Sequence, residues 1–398
     1  MTPQERRSVS SLALLYCFRM LGLFMVLPLL ALYTADMPGA DPLTIGLALG
    51  VYGLSQAVLQ IPLGWLSDKF GRKPIIVGGL LVFALGSVVA AVADSIYGLV
   101  IGRALQGAGA IASTVMALVA DLTRDEQRTK AMALVGMSIG LSFALALVLG
   151  PAVASLGGLS AVFWFTAVLG LGGIGIVLAL VPTPQLGLQH EDVGARRGLF
   201  VRSLQDAGLM RLNFSVFALH FILMALFLLV PGLLRDVAGL ERDRHWLVYL
   251  PTLALSILGM VPMMILAERK GYLRGMFLLG IALLLLSIAV LSSAPGAAFV
   301  FLGMCLFFVG FNYLEATLPS LVSKMVFPGG KGTALGVYAS CQFLGAFAGG
   351  AVGGALLKSA GTSGLVLCCV ALTLVWILLF LPSRSVAVPV AATGGDQG

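Results

Sequence analysis

Twelve long apolar runs dominate this sequence and limit the folds that are open to it. Each run has about 20 residues, the length that an α-helix needs to cross the hydrocarbon core of a bilayer. The predicted spans are 9–35, 43–66, 74–92, 96–119, 130–156, 159–181, 212–237, 246–267, 273–293, 297–326, 333–359 and 363–381. The sequence therefore predicts an all-α membrane protein with twelve transmembrane helices.

Charged residues are too few to cover a water-soluble surface. They make up 10% of the 398 residues, whereas a soluble domain carries about 25%. This composition excludes a cytosolic enzyme, a nucleic-acid-binding protein and a disordered chain. The formal net charge of +7 is therefore interpreted as basic loops on one face of a membrane.

The basic residues fall mainly on one side of the predicted membrane. Eighteen of the 24 Lys and Arg residues lie near the N-terminus, in loops that lead from an even-numbered to an odd-numbered helix, or in the C-terminal tail. The opposite loops hold four: Arg235, Arg242, Arg244 and Lys358. Because cytoplasmic loops are the basic ones, both termini are predicted to be cytoplasmic, which requires an even number of helices.

The chain divides near its midpoint into two similar halves. Lys-Ala-Met-Ala-Leu at 130–134 has a counterpart, Lys-Gly-Thr-Ala-Leu, at 331–335. Parallel six-helix halves joined by a central cytoplasmic linker are one known transporter layout. The predicted units are an N-terminal six-helix bundle at 1–181, a cytoplasmic linker at 182–211, a C-terminal six-helix bundle at 212–381 and a cytoplasmic tail at 382–398.

The strongest local motif lies between the second and third predicted helices, where it contains Gly64, Asp68, Gly71, Arg72 and Lys73. Gly64 would let another helix approach closely, and Gly71 suits a sharp turn. Asp68 could cap a nearby helix N-terminus, where an exposed carboxylate contributes about 0.3–1 kcal/mol. Such a contact would hold one conformation and break in another. The alternative is a solvated basic loop that only sets the topology.

Three motifs together resemble those of the major facilitator superfamily. The segment 64–73 is similar to its G-x-x-x-D-[RK]-x-G-[RK]-[RK] signature, and 102–109 resembles its G-R-x-x-Q-G-x-G pattern, which includes Arg103. Glycines of the fifth helix resemble its antiporter motif, with a stretched spacing. The helix-packing positions that these matches identify are Gly102, Gln106, Gly107, Gly109, Gly136, Gly140, Gly150 and Pro151.

The resemblance looks closest to the twelve-helix drug:proton antiporters and, through the stretch 311–320, to their YajR-like group. It implies the major facilitator fold in a bacterial inner membrane. It also implies that Asp68 holds the outward-open state through the end of helix 11, in a charge relay with Arg72 and Asp121. The group is known for a soluble domain after the last helix. This chain ends about 17 residues beyond its last predicted span and is expected to lack that domain.

Four ionisable residues lie inside predicted spans, where an unpaired charge is costly and marks a candidate functional site. Arg19, Arg103, His220 and Glu315 lie on helices 1, 4, 7 and 10, which line the central cavity in the implied fold. Glu315 is the acid of the set, and a carboxylate poised between desolvation and a nearby cation can carry a proton. The alternative is a permanent structural pair with Arg19 or another polar group.

The three basic candidates also leave alternatives open. Arg19 would bind an anionic group, pair with Glu315 or shape the electric field of the cavity. His220 titrates in the physiological range, although a lone His on an apolar helix also serves as a hydrogen-bonded packing residue. The resemblance links Arg103 to proton coupling, with helix packing as the alternative.

Polar and aromatic residues recur at helical spacing on the candidate cavity helices. Fifteen Met and 22 Phe residues add the adaptable apolar surface that promiscuous sites use, which suits an amphipathic solute better than a sugar. The predicted cavity-lining residues are Tyr16, Phe24, Gln56, Gln60, Asn312, Tyr313, Tyr338 and Gln342.

These observations predict a proton-coupled secondary transporter that exports amphipathic, drug-like compounds by alternating access. The alternatives are a facilitator or symporter for an anionic metabolite, a lipid flippase, and a receptor or scaffold without transport. The sequence has neither a phosphate-binding G-x-x-x-x-G-K-[ST] loop nor a metal-ligand pattern, so no enzyme activity, cofactor or metal is expected. The expected partners are a small-molecule substrate, protons and the lipid bilayer, with no nucleic acid, and the chain is expected to act as a monomer.

Overall fold

The computed structural model describes residues 1–182, 193–326 and 330–381, and it is entirely helical over these residues apart from turns and short connections. Part of the predicted linker, 183–192, and the predicted tail lie outside the described residues. The helices are α1 Pro3–Tyr33, α2 Pro42–Phe70, α3 Arg72–Ala91, α4 Ile96–Ala108, α5 Ala112–Asp121, α6 Asp125–Ala179, α7 Val193–Gln205, α8 Ala207–Asp236, α9 Trp246–Arg269, α10 Leu273–Ser292, α11 Ala297–Met325 and α12 Lys331–Phe380.

Ten helical segments of the described chain, with α4 and α5 counted as one, are long and apolar enough to cross a membrane. Two of them, α6 with 55 residues and α12 with 50, are much longer than one crossing requires. Each is interrupted where a glycine leaves the helical conformation, at Gly158 with φ 66° and at Gly361 with φ 65°. Such a positive φ strains residues that carry a Cβ atom, so each long helix consists of two arms joined by a bend.

Short polar residues set where several helices begin. The Asp41 carboxylate accepts a hydrogen bond from the backbone N–H of Thr44 at the start of α2, and Ser95 caps α4 in the same way. Asp206 accepts from two backbone N–H groups at the start of α8. These bonds satisfy donors that have no partner within the helix. Between α2 and α3, Gly71 with φ 93° makes the sharp turn that the motif predicts.

The helices pack into two groups around an apolar interior. In the first group, α6 packs on α1 and α3, and α4 packs between α2 and α3; in the second, α12 packs on α8, and α11 packs on α9 and α10. The largest contact between the groups is that of α2 with α12, and smaller ones join α1 to α8 and α6 to α9.

Glycines make the contact between α2 and α12 unusually close. A Cβ atom built on Gly50 would lie 2.7 Å from the carbonyl oxygen of Phe347, and one on Gly53 would lie 2.6 Å from that of Phe343. Gly46 faces Gly350 in the same manner. Small residues are what allow two helix backbones to approach this closely. The crossing seals one end of the interface between the groups, here named the closed end.

The close glycine contacts between α2 and α12 are confined to that end; the opposite end, where the motif containing Asp68 lies, is here named the open end. Beyond Gly53, the next glycine of α2, Gly64, meets Ser113 of its own group. At the start of α12, no atom of the described residues lies within 4 Å of a Cβ built on Gly332 or Gly336. Within the described part of the chain, glycine-mediated contact between α2 and α12 therefore occurs at the closed end and not at the open end.

Candidate functional site

A titratable cluster lies in the second helix group, where α8, α11 and α12 contribute one side chain each. Nε2 of Gln342 lies 2.8 Å from Nε2 of His220 and 3.1 Å from Oε1 of Glu315. His220 Nε2 is also 3.8 Å from Oε2 of Glu315. The sequence identified all three residues as candidates, and the structure brings them into one hydrogen-bonded unit.

The hydrogen bonds of this arrangement match one protonation pattern. Nδ1 of His220 lies 3.1 Å from the carbonyl oxygen of Val216, and a carbonyl only accepts, so Nδ1 carries the proton. In a neutral imidazole Nε2 is then an acceptor, and it accepts a hydrogen bond from the Gln342 amide N–H. The same amide nitrogen donates to Glu315. The observed geometry therefore suits a neutral histidine and an ionised carboxylate.

The surroundings of the cluster combine solvent access with aromatic surface. The side chain of Glu315 is 37% exposed, whereas that of His220 is only 10% exposed. The Phe311 ring packs edge-on against the imidazole with centroids 5.8 Å apart. Tyr338 lies near the Glu315 charge, and its buried hydroxyl has no hydrogen-bond partner among the described residues. The carboxylate is thus reachable by a proton or solute, while the histidine is held behind it.

A second polar cluster is buried in the first helix group around Tyr52. Its hydroxyl accepts hydrogen bonds from Nη2 of Arg19, at 3.2 Å, and from Nε2 of Gln56, at 2.9 Å. The guanidinium of Arg103 lies over the same ring, 5.0 Å from its centroid. Sequence reasoning missed Tyr52. The signal was its position four residues before Gln56, which places both side chains on one face of α2.

Arg19 also supports the break between α4 and α5. Its Nη2 donates to the carbonyl oxygen of Gly109, at 3.1 Å, which is the residue that ends α4. A cation at a helix C-terminus satisfies orphan carbonyls and opposes the helix dipole. Arg19 does not pair with Glu315, so Arg19 is wrong as the partner in the predicted structural alternative. A structural pair of Glu315 with another polar group stays open, because Gln342 and His220 contact it.

Arg103 ties α4 to α2 and α3 through a chain of hydrogen bonds. It donates to the carbonyl of Ala48 at 3.3 Å and to Oε1 of Gln106 at 2.9 Å, and Gln106 donates to Ser87 at 2.8 Å. Arg19 and Arg103 are each only 1% exposed. Among the described residues, no acidic side chain is recorded as an ion-pair partner of either one. The first group therefore buries two positive charges that are satisfied mainly by neutral acceptors.

The motif at the open end forms a charge relay. Nε of Arg72 lies 3.0 Å from Oδ2 of Asp121, and its Nη1 donates to Asp68 and, at 2.7 Å, to Ser67. A guanidinium can engage several acceptors at once because its donors form a rigid planar fork. Arg72 thus links α2, α3 and the end of α5. Lys73 extends the basic character of this loop.

Ion pairs also join the two groups at the closed end, and sequence reasoning missed them. Nζ of Lys358 lies 2.8 Å from Oδ2 of Asp41, and Nη2 of Arg242 lies 3.9 Å from Oδ2 of Asp36. The Arg242 guanidinium also lies 5.5 Å from the Tyr33 ring centroid. The hydrogen bond from Lys358, aided by a backbone N–H of α2, lowers the pKa of Asp41 to about 2. Two of the four basic residues predicted on this face therefore bridge the groups.

Several predicted cavity-lining residues are buried instead. Tyr16, Gln56, Gln60 and Tyr338 are all at most 6% exposed. Tyr313 is fully buried and packs against Gly280 of α10.

Three other predicted lining residues, Asn312, Phe24 and Gln342, are partly exposed. Asn312 donates to Ser256 of α9 at 2.7 Å. Phe24 packs edge-on against Phe143, with ring centroids 5.1 Å apart.

The predicted helix-packing glycines fall into two sets. Gly102, Gly107 and Gly109 face neighbouring helices so closely that a Cβ atom would clash, and Gly150 lies against Met25 of α1. Gly136 and Gly140 have no atom within 4 Å of a built Cβ, so the prediction that they pack closely is wrong for this structure. The physical reason is that both glycines are exposed and do not face a neighbouring helix. Pro151, next to Gly150, is buried within α6.

Comparison with known proteins agrees with this architecture. The sequence matches the family described as Major Facilitator Superfamily over residues 12–350. It is 46% identical over 378 residues to the inner membrane transport protein YajR of Escherichia coli (strain K12), covering 95% of this chain and 83% of that protein. It is 29% identical to the multidrug resistance protein MdtH of Aeromonas hydrophila, covering 84% of each.

The helices also superpose on those of a solved transporter. A bacterial homolog of the human lysosomal transporter Spinster, described as inward-facing and occupied, matches with a TM-score of 0.75 at 16% identity. The match covers 96% of this chain and 97% of that one. At this identity the likeness concerns the fold.

Proposed function

Because this chain belongs to the major facilitator superfamily, we propose that it is a proton-coupled antiporter that exports amphipathic organic compounds by alternating access. Like its relatives it is a transporter of small molecules rather than an enzyme, and it is a multi-pass protein of the inner membrane. The proposal concerns the coupling ion, the substrate class and the direction of transport.

We propose twelve crossings with both termini in the cytoplasm. The ten candidate spans become twelve if α6 and α12 each cross twice, with the bends at Gly158 and Gly361 as the turns between their arms. The basic loops then lie on the cytoplasmic side, together with the open end. The closed end, with its Asp41–Lys358 pair, faces outward, and the described conformation is inward-open.

The observation that carries the proposal is the cluster of His220, Gln342 and Glu315. It combines a carboxyl group that is 37% exposed, a histidine that is 10% exposed and an amide that contacts both. A carboxylate that can be reached by solvent in one conformation and covered in another is able to pick up a proton on one side and release it on the other. The phenylalanine rings near it offer apolar surface for an amphipathic solute.

Transport in proteoliposomes tests the proposal. Amphipathic dyes of cationic, neutral and anionic type would be loaded, and their movement followed with and without an imposed pH gradient. We expect the gradient to accelerate transport of at least one dye class, and Glu315→Gln to abolish that acceleration. Glu241→Gln, which neutralises an exposed loop carboxylate, is the matched control. Full gradient-driven transport by Glu315→Gln would contradict the proton role.

One observation supports a second candidate function. The guanidinium atoms Nε and Nη1 of Arg19 and Nη2 of Arg103 are buried without a hydrogen-bond partner among the described residues. Buried cations without an acidic partner favour an anion in their vicinity, which would fit a facilitator or symporter for an anionic metabolite. A carrier of this kind would transport only the anionic dye, and its rate would not depend on Glu315.

A further inference from the structure

Gln342 stands between the two titratable groups and contacts both through one nitrogen atom. Its amide nitrogen donates to Nε2 of His220 and to Oε1 of Glu315, at 2.8 and 3.1 Å. The reverse orientation of the amide would set its oxygen against the carboxylate and against the imidazole lone pair. With the amide in this orientation, the contacts suit a neutral His220, whose Nε2 accepts, and a Glu315 carboxyl that accepts through Oε1.

Protonation of either partner weakens the hydrogen bonds that hold the Gln342 side chain in this position. A protonated His220 carries a hydrogen on Nε2, which repels the amide hydrogens and is drawn to Glu315 Oε2, only 3.8 Å away. A protonated Glu315 loses the negative charge that makes its hydrogen bond with Gln342 strong. Gln342 must then rotate or move away. Its position consequently reports the protonation state of the pair.

The other ionisable groups around the pair do not offer a competing explanation. From α12, Tyr338 lies near Glu315, and its buried hydroxyl has no hydrogen-bond partner among the described residues. Arg19 of α1 is bonded to Tyr52 within its own group. The ionisable groups whose contacts with Gln342 are seen among the described residues are therefore His220 and Glu315.

Gln342 is also fixed to the contact that seals the closed end. The next residue, Phe343, places its backbone carbonyl against Gly53 of α2, so closely that a Cβ there would lie 2.6 Å from the oxygen. Phe347, one turn further along α12, packs on Gly50 in the same way. Backbone-to-backbone contacts of this kind transmit a shift because neither side can yield. A movement of the α12 backbone at Gln342 thus acts directly on the α2–α12 crossing.

We propose that Gln342 is the positioning residue that couples the protonation state of His220 and Glu315 to closure of the α2–α12 crossing. When His220 and Glu315 are deprotonated, the two hydrogen bonds of Gln342 hold α12 in the position that keeps the closed end closed. Protonation releases Gln342 and favours parting of the closed end. This inference rests on the proposed proton role of the pair, and it adds the residue that couples protonation to a conformational change.

Distance measurement across the closed end tests the coupling. Spin labels at Val92→Cys on the first group and Ser293→Cys on the second, both exposed at that end, would be attached after the five native cysteines are replaced. In the otherwise unchanged protein, we expect acidification from pH 8 to pH 5.5 to raise the ratio of parted to closed populations by about tenfold, the factor for one charge-assisted hydrogen bond. Gln342→Met keeps the side-chain length but removes the amide, and we expect it to reduce this response to less than about twofold.

Two further variants complete the test. Gln342→Asn keeps an amide that is too short to reach both partners, so it should flatten the response as Gln342→Met does. Ser340→Ala removes a buried hydroxyl of the same helix that has no hydrogen-bond partner among the described residues, and it should respond as the parent does. A normal pH response in both Gln342 variants would overturn the coupling and leave the proton site intact. Absence of a response in the parent protein would overturn both.

Discussion

Adding one methyl group to the α2–α12 crossing should shift the balance between conformations. The Cβ of Gly50→Ala would lie 2.7 Å from the carbonyl oxygen of Phe347 and 3.1 Å from its Cα. Real Cβ atoms essentially never approach another atom within 3.0 Å, and helix backbone cannot move aside as a side chain can. The two helices must therefore separate by several tenths of an ångström if the closed end is to remain closed.

The size of the shift follows from the usual cost of overpacking, about 1–3 kcal/mol. This cost arises only while the closed end is closed, because parting the helices removes the clash. We therefore expect the ratio of parted to closed populations to rise about 5- to 150-fold. The higher helix propensity of Ala stabilises both conformations equally and does not alter that ratio.

The assay is the spin-label distance across the closed end, read at a fixed pH. Gly136→Ala is the matched control, because it makes the same substitution within a helix where no atom lies within 4 Å of the new Cβ. It should leave the distance distribution unchanged. If Gly50→Ala gave the same distribution as Gly136→Ala, the glycine crossing would not be the contact that seals this end, and the reasoning would fail.

Three other substitutions probe the remaining contacts. Asp41→Asn keeps the helix cap but removes the charge opposite Lys358, so the closed population should fall, and the difference from the parent should shrink in high salt. Because the pKa of Asp41 is lowered to about 2, the ion pair stabilises the closed end fully above about pH 4. That stabilisation is lost as the pH falls toward 2. Arg72→Lys keeps the charge but not the planar fork that reaches two acids, so we expect a lower transport rate in proteoliposomes with an unchanged unfolding temperature. Tyr52→Phe removes the acceptor shared by two buried side chains and should lower the free energy of unfolding by about 1–3 kcal/mol, whereas Tyr97→Phe, on an exposed ring, should have little effect in the same denaturation assay.

The helical architecture could be predicted because it depends on local hydrophobicity. An apolar run of 20 residues must form a helix in a bilayer, since each backbone group needs a partner within the segment. The breaks at Gly158 and Gly361 lie where the predicted spans end, because glycine is the residue that tolerates a positive φ. The break between α4 and α5 was missed, because it depends on Arg19 reaching the Gly109 carbonyl from another helix.

The candidate site was predictable as a set of residues but not as a set of contacts. Rarity of charge inside the spans singled out Glu315, His220 and Arg19, and polarity at helical spacing added Gln342. Which of them meet depends on how α8, α11 and α12 pack, and periodicity in one helix does not contain that information. This is why Arg19 was considered as a partner for Glu315, although the two belong to different helix groups and bond within their own.

The two helix groups differ in the ionisable side chains that they hold within the spans, and the difference indicates in which group a conformational change begins. In the first group, Arg19 and Arg103 hold α1, α2 and α4 together through neutral acceptors, and an arginine does not lose its proton at any physiological pH. In the second, His220 and Glu315 can both change charge. Under the proposed proton coupling, protonation would therefore act on the second group. The closest backbone contacts between the groups are those of Gly46, Gly50 and Gly53 with α12, so a movement of one group relative to the other has to change this crossing.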